Sequence, residues 1–263
     1  MISRIDFVTF GSKNGYIYSM TRINFVILLI SFTFFSAQIY AQNIGRIDFS
    51  EIKKEIENPE SNYYYPSLLE RIHADDTTLN YSDYKHLYYG NVFQENYHPY
   101  GITDLKKEFN AIYKSRNYEQ ALLKGKDVLA ENPVDIEVTL KMIIACLETG
   151  DTLSAKIYGK KYFGFLDVIY ASGDGKSLET AYVVISVDDE YRIVGDLGLS
   201  VKQQVLINDC DLLIFEKKGQ RKVRKKKIKE LYFNVQMPLL SFSNSFKDAD
   251  LPDPDPEEEE EDE

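Results

Sequence analysis

The chain has 263 residues, a formal charge of −11, twenty tyrosines, no tryptophan and two cysteines. Asp248 to Glu263 hold eleven acidic groups and no basic one, so the rest of the chain balances at zero and only the end is acidic. An ordinary apolar content and so few cysteines exclude a wholly disordered chain and a scaffold built on disulfides.

Taken in order, residues 20–42 come first, and they read as an export signal. Arg22 supplies a positive charge, and Ile23 to Phe35 form an apolar run broken only by Asn24, Ser31 and Thr33. Ser36 to Ala41 give a polar exit ending in a small residue before Gln42. This is the layout of a secretory signal peptide, and it is short for a bilayer span. Ile39 stands where a smaller residue is usual, and an uncleaved anchor over Ile23–Tyr40 is the alternative. Residues 1–41 are therefore expected to be removed, with 1–19 an artefactual start ahead of Met20. The mature chain would be periplasmic or secreted, and it would not span a membrane.

The helical period then dominates. Phe49, Ile52 and Ile56 share a face up to Asn58-Pro59. Ser61–Ile72 and Asn80–Tyr89 are the next two predicted helices, with Gly90 in the C-terminal cap position. From 104 to 168 four helices follow, and they echo at 34 residues. Ala121 and Ala155, Gly125 and Gly159, Phe109 and Ile143, and Ile112 and Cys146 are the pairs. That period, with a small residue in each second helix and Pro133 after the first pair, resembles tetratricopeptide repeats. Asp167 stands where a second Pro would, and the glycines replace the usual aromatic. Two repeats also need neighbours to cover both ends.

Past Gly173 the pattern changes. Ala181–Val187 is β-branched, and Asp189–Leu197 reads as a short helix. Val201–Ile207 and Asp211–Glu216 are strands around Asn208-Asp209, and Leu231, Phe233 and Val235 alternate in a further strand. From Lys247 on, Pro and acid give a segment expected to be disordered. The fold class is α+β: helices first, with two tetratricopeptide-like hairpins, then a small antiparallel sheet and the acidic tail. The divisions are 1–41 signal, 42–103 Tyr-rich helices, 104–170 hairpins, 171–246 β-rich region and 247–263 tail.

Tyr63-Tyr64-Tyr65-Pro66, Leu87-Tyr88-Tyr89-Gly90 and Tyr97-His98-Pro99-Tyr100, with Tyr81 and Tyr84 between them, put nine tyrosines in 38 residues. With Gly173-Asp174-Gly175-Lys176-Ser177, Glu179-Thr180-Ala181, Asp189-Glu190-Tyr191 and Leu231-Tyr232-Phe233, the chain resembles a family of uncharacterised exported bacterial proteins known as a domain of unknown function. The resemblance implies export and one shared architecture, and it carries over no activity, ligand or catalytic residue.

Candidate chemistry is sparse. Tyr63, Tyr65, Tyr88, Tyr89, Tyr97 and Tyr100 are the candidate ligand-binding residues, because a tyrosine ring packs while its hydroxyl hydrogen-bonds. The alternative is that they fill helix seams. Gly175-Lys176-Ser177 is similar to the end of a phosphate loop, but Tyr170 stands where that loop needs Gly, so a plain turn is expected. His73, His86 and His98 lack metal-site spacing. Asp188, Asp189 and Glu190 read as a solvated turn rather than an acid pair for hydrolysis. Cys146 and Cys210 read as buried thiols. No nucleophile, metal or cofactor is implied. Lys217 to Lys229 hold nine basic residues in thirteen. Export argues against nucleic acid and for an anionic envelope surface, an acidic partner or the chain's own tail. The expected role is non-enzymatic, a helical groove presented to an envelope protein or peptide. An envelope hydrolase using His and Asp/Glu of the Tyr-rich region is the alternative.

Overall fold

The computed structural model describes residues 47–100, 103–216, 222–223 and 226–248. The expected export signal and the tail beyond Asp248 lie outside the described residues, as does most of the basic block. Among the described residues there are nine α-helices and a four-stranded sheet, and the α+β class is as expected. No helix among them is long and apolar enough to cross a membrane.

Three helices open the fold: α1 (Phe49–Glu57), α2 (Tyr65–His73) and α3 (Tyr81–Gly90). Asp48 caps α1 by accepting from the Ser50 and Glu51 amides. Asn80 and Asp83 form a reciprocal capping box on α3, satisfying amides that the first turn cannot. The second helix starts four residues later than expected, because Pro66 suits a first turn and Tyr64 stays extended. Gly90 is not a left-handed cap. It is the last helical residue, and an added Cβ would lie 3.1 Å from Ile56 and from the Tyr65 ring. Its role is close packing.

Helices α4 (Asp104–Lys114), α5 (Tyr118–Glu131), α6 (Ile136–Glu148) and α7 (Thr152–Ala171) each pack on the next. The 34-residue echo extends to the backbone. Ser115 and Arg116 donate to Ala111 and Tyr113 at the first turn, and Thr149 and Gly150 donate to Ala145 and Leu147 at the second. Arg116 (φ 61°) and Gly150 (φ 81°) occupy the same left-handed position. Asn117 and Asp151 then cap α5 and α7 with nearly identical backbone angles. Ala121 and Ala155 are both buried in the satellite core with Phe109, Val138, Met142 and Cys146. Ala121→Leu and Ala155→Leu are each expected to overpack this seam and cost about 1–3 kcal/mol. Denaturant melts check this, and unchanged midpoints would remove the close helix approach as the reason for alanine.

The chain then forms β1 (Tyr182–Val183), α8 (Val187–Asp196), β2 (Val201–Ile207), β3 (Cys210–Phe215), β4 (Lys222–Val223), β5 (Lys226–Lys227), β6 (Glu230–Asn234) and α9 (Gln236–Asp248). The sheet order is β1-β6-β3-β2. The expected antiparallel sheet is in fact mixed, since β1 pairs parallel with β6 and the other pairings are antiparallel. The cause is the connection: β1 reaches β6 through a long excursion, whereas β2 and β3 are joined by the two-residue Asn208-Asp209 turn. Asn208 takes φ 55°, which Asn tolerates. Beyond β6, α9 was unexpected. Pro238 in its first turn breaks a strand pattern but suits a helix start.

The main core joins both halves. Tyr65, Tyr88, Tyr89 and Phe165 from the helices meet Leu213, Leu231 and Phe233 from the sheet. Helix α3 packs on α7, and α8 packs on α6, so the repeat-like helices are flanked as two isolated hairpins require. Cys146 and Cys210 are buried free thiols.

Candidate functional site

The six candidate tyrosines do not share one surface. Tyr65, Tyr88 and Tyr89 are fully or almost fully buried, so none presents a ring to a ligand. Tyr65 donates towards Leu87 O and Asn91 Oδ1, and Tyr89 to Val183 O. The half-buried Tyr97 donates to Ile185 O at 2.6 Å, and Tyr63 stacks on His86 at 3.9 Å. Tyr100 is about half exposed, edge-on to Phe242. The physical reason is the position of α3. Phe49 of α1 covers it on one side and Phe165 of α7 on the other, so several of its faces are interior. Hydroxyls that reach Val183 and Ile185 stitch the helices to the segment leading into α8.

That segment overturns the solvated-turn expectation for Asp188, Asp189 and Glu190. They form the first turn of α8, capped by Ser186, whose hydroxyl accepts from the Asp188 amide and donates to Pro99 O. Asp189 Oδ2 accepts from Tyr88 at 2.6 Å, and the same hydroxyl accepts from the Ile185 amide at 3.2 Å. Burial pushes the Asp189 carboxyl up to about 8, against the lowering effect of the Tyr88 bond. Glu190 is wholly buried, and neither carboxylate oxygen has a hydrogen-bond partner among the described residues. Burial first, then the neighbouring Asp211 and Asp189, pushes it up to about 9. The helix N-terminus favours carboxylate charge here, but only modestly, and burial outweighs it. The sequence signal for this was the apolar context around Ile185 and Ile193, which puts a helix's first turn against the core.

Beside this turn lies a polar cleft. Lys106 of α4 is buried and reaches Asp135 at 2.8 Å, Asp188 at 2.8 Å and Glu137 at 3.4 Å. Burial opposes its charge, but the carboxylates outweigh it and hold the ammonium above the usual lysine range. Thr103, Lys106, Val128, Glu131, Asn132 and Asp135 line a cleft of about 350 Å³, with Asn96 and His98 at its edge. A smaller cavity of about 30 Å³ adjoins it, bounded by Tyr97, Asp188 and Asp189 and sharing Lys106, Asn132 and Asp135. It has room for one water. Asn132 Oδ1 is buried, with no hydrogen-bond partner among the described residues.

The histidines stay apart in role. His73 and His98 are exposed, while His86 is buried under Tyr63 with Nδ1 at 2.7 Å from Ser82 O. Among the described residues no three His, Cys, Asp or Glu side chains are placed to hold a metal. Where carboxylates do converge, the Lys106 ammonium occupies the centre. The Gly173–Ser177 stretch is a turn, with the Asp174 and Gly175 amides donating to Thr180 O.

A second concavity is apolar. Leu79, Tyr81 and Tyr84 at the start of α3 face Gly159, Phe163 and Gly164 of α7 across about 550 Å³, with Lys156, Lys160 and Asp167 at the rim. Phe163 is 62 % exposed, a large apolar ring left in water. Here the 34-residue echo diverges. A Cβ on Gly125 would lie 2.2 Å from Met142 Sδ, so that glycine receives the next helix. At Gly159 no described atom lies within 4 Å of the Cβ position. The groove is thus the counterpart of a filled helix-docking notch.

No curated protein and no solved structure matches the chain. Residues 50–243, which take in the helices, the sheet, the cleft and the groove, match the model described as a domain of unknown function (DUF4919), and the chain belongs to that family.

Proposed function

We propose that this is an exported, non-enzymatic binding module whose tetratricopeptide-like helices present the α3–α7 groove to an apolar helical segment of an envelope protein or peptide. One observation carries the reading. In the first repeat unit, Gly125 accepts the Met142 thioether from the following helix; in the second, the equivalent Gly159 has open space, beside an exposed Phe163. A partner helix with a Met or Leu knob fits the same notch, as amphipathic helices fit apolar grooves elsewhere. The residues of the tyrosine seam contribute rigidity rather than contact.

The test exploits the empty space. Gly159→Leu fills the groove without a clash and improves helix propensity, so it is expected to raise stability by about 0.5–1 kcal/mol. It is also expected to abolish retention of the partner that co-purifies from envelope extract with the wild-type chain. Phe163→Ala should weaken the same retention while leaving the fold intact. Retention unchanged in both variants would exclude this groove.

A further inference from the structure

Glu190 takes no part in the groove, and its surroundings have a use of their own. We infer that one proton shared by Glu190 and Asp211 latches helix α8 onto the β2–β3 hairpin, so that α8 is a pH-released element that leaves its seat as the proton is lost.

The contact itself requires a proton. Glu190 is 0 % exposed, and both its carboxyl oxygens lack a donor among the described residues. It stands within hydrogen-bond reach of Asp211 on β3, itself only 8 % exposed. Two carboxylates can only accept, so as ions the pair would hold two like charges out of water with no hydrogen bond between them. With one proton on Glu190, its O–H donates to Asp211 and the contact becomes a charge-assisted hydrogen bond. Asp211 is placed to accept. Its Oδ2 takes Gln204 Nε2 from β2 at 2.7 Å, and Tyr191 donates to Gln204 Oε1 at 2.7 Å, which turns the amide nitrogen towards Asp211. The network thus leaves α8 at Glu190, crosses β3 and β2, and returns to α8 at Tyr191. Nearby cations are engaged elsewhere: Lys106 by Asp135 and Asp188, and Arg192 by Asp196. Besides Asp211, the titratable groups facing Glu190 are Asp189 on its own helix and the hydroxyls of Tyr100 and Tyr191. Asp189 in turn faces Tyr88 of α3. Burial, then Asp211, holds the Glu190 proton up to about 9, so the latch is strongest below the ordinary carboxylate range and weakens as pH rises to that value. Helix α8 is suited to come away by itself. It has ten residues, too few to stay helical undocked. Of its four buried side chains two are these acids, and only Ile193 and Val194 are apolar anchors. Its release also takes Asp188 from Lys106 and removes one wall of the small cavity, so the polar cleft opens with it.

Hydrogen exchange read by mass spectrometry on the whole protein tests this. Opening constants are corrected for the intrinsic exchange rate at each pH and compared between α8 and the central strand β3. The amides of α8 are expected to open more often than those of β3. Their opening should rise at least tenfold per pH unit between about pH 6 and 8, about one power of ten for each proton lost. Glu190→Gln donates to Asp211 at every pH, so it should remove about tenfold per pH unit from that rise. Asp211→Asn supplies an amide donor to an ionised Glu190 and should remove the same share, which reads the pair from its other side should the first variant fail to fold. Asp189→Asn is the control: it takes away a titration on α8 but not the latch, so the Glu190 share of the rise should remain. The inference is overturned if α8 and β3 open together at every pH, since the proton then acts on global unfolding alone. It is equally overturned if Glu190→Gln and Asp211→Asn both keep the wild-type pH dependence.

Discussion

Tyr88→Phe is expected to destabilise the protein by about 3 kcal/mol, the largest effect of any single-atom deletion we foresee. The hydroxyl makes two buried bonds across the junction of the two halves, donating to Asp189 Oδ2 and accepting from the Ile185 amide. Tyr88 is 0 % exposed and Asp189 only 4 %, so bulk water does not reach either bond, and the adjoining cavity has room for a single water at most. Each orphaned partner carries about 1–3 kcal/mol of unmet desolvation. Tyr65→Phe is the control. Its hydroxyl makes two longer contacts, at 3.2 and 3.3 Å, to acceptors near one helix end. About 1 kcal/mol is expected there. Urea denaturation of both variants reads the difference. Equal losses would mean that the Tyr88 network is no stronger than an ordinary buried hydroxyl, and that the junction is held by apolar packing alone.

Stability should also fall as pH rises from 5 to 8, opposite to the behaviour of a salt-bridged carboxylate. Glu190 keeps its proton in the folded state up to about 9, against an ordinary value of 4.5. Asp189 behaves alike, up to about 8 against 3.8. In this window the folded state binds more protons than the unfolded state. The stabilisation is therefore complete below the ordinary carboxylate range and is lost as pH climbs through the raised values. One such proton gives a slope of about 1.4 kcal/mol per pH unit. Glu190 faces Asp189 and Asp211, with the rings of Tyr100 and Tyr191 nearby, and no cation is among its principal influences. Glu190→Gln removes the titration while keeping the shape. It should roughly halve the slope, leaving the share due to Asp189, and make the protein more stable than wild type near pH 8. A wild-type profile that is flat or rising over this range would contradict a protonated Glu190.

How much of this was legible beforehand depended on the range of the interaction. The helices α4 to α7 were legible because their apolar spacing and 34-residue echo are local or periodic. The β2–β3 hairpin was legible from Asn208-Asp209 between two apolar runs. The parallel β1–β6 pairing was not, since Tyr182 and Phe233 are partners 51 positions apart in the chain with no local pattern to link them. The candidate site split in the same way. The tyrosine cluster was conspicuous in the sequence, but whether a tyrosine faces a ligand or a neighbouring helix depends on what covers α3. Asp188-Asp189-Glu190 looked like solvent-facing charge because three adjacent acids usually are.

The sequence by itself determined the α+β class, the 34-residue period and the existence of most helices, because these follow from side chains acting within a few residues of their own backbone. It also carried the membership of the family through motifs spread over residues 50–243. Tertiary structure alone decided which polar groups lost water. Helix α8 folds its first turn against α3 and α6, so Asp189 and Glu190 are buried while Asp188 reaches Lys106. The same packing filled the notch at Gly125 and left the one at Gly159 open. Burial is a property of what arrives from elsewhere in the chain, and desolvation, not residue type, turns an acid, a glycine or a tyrosine into part of a site.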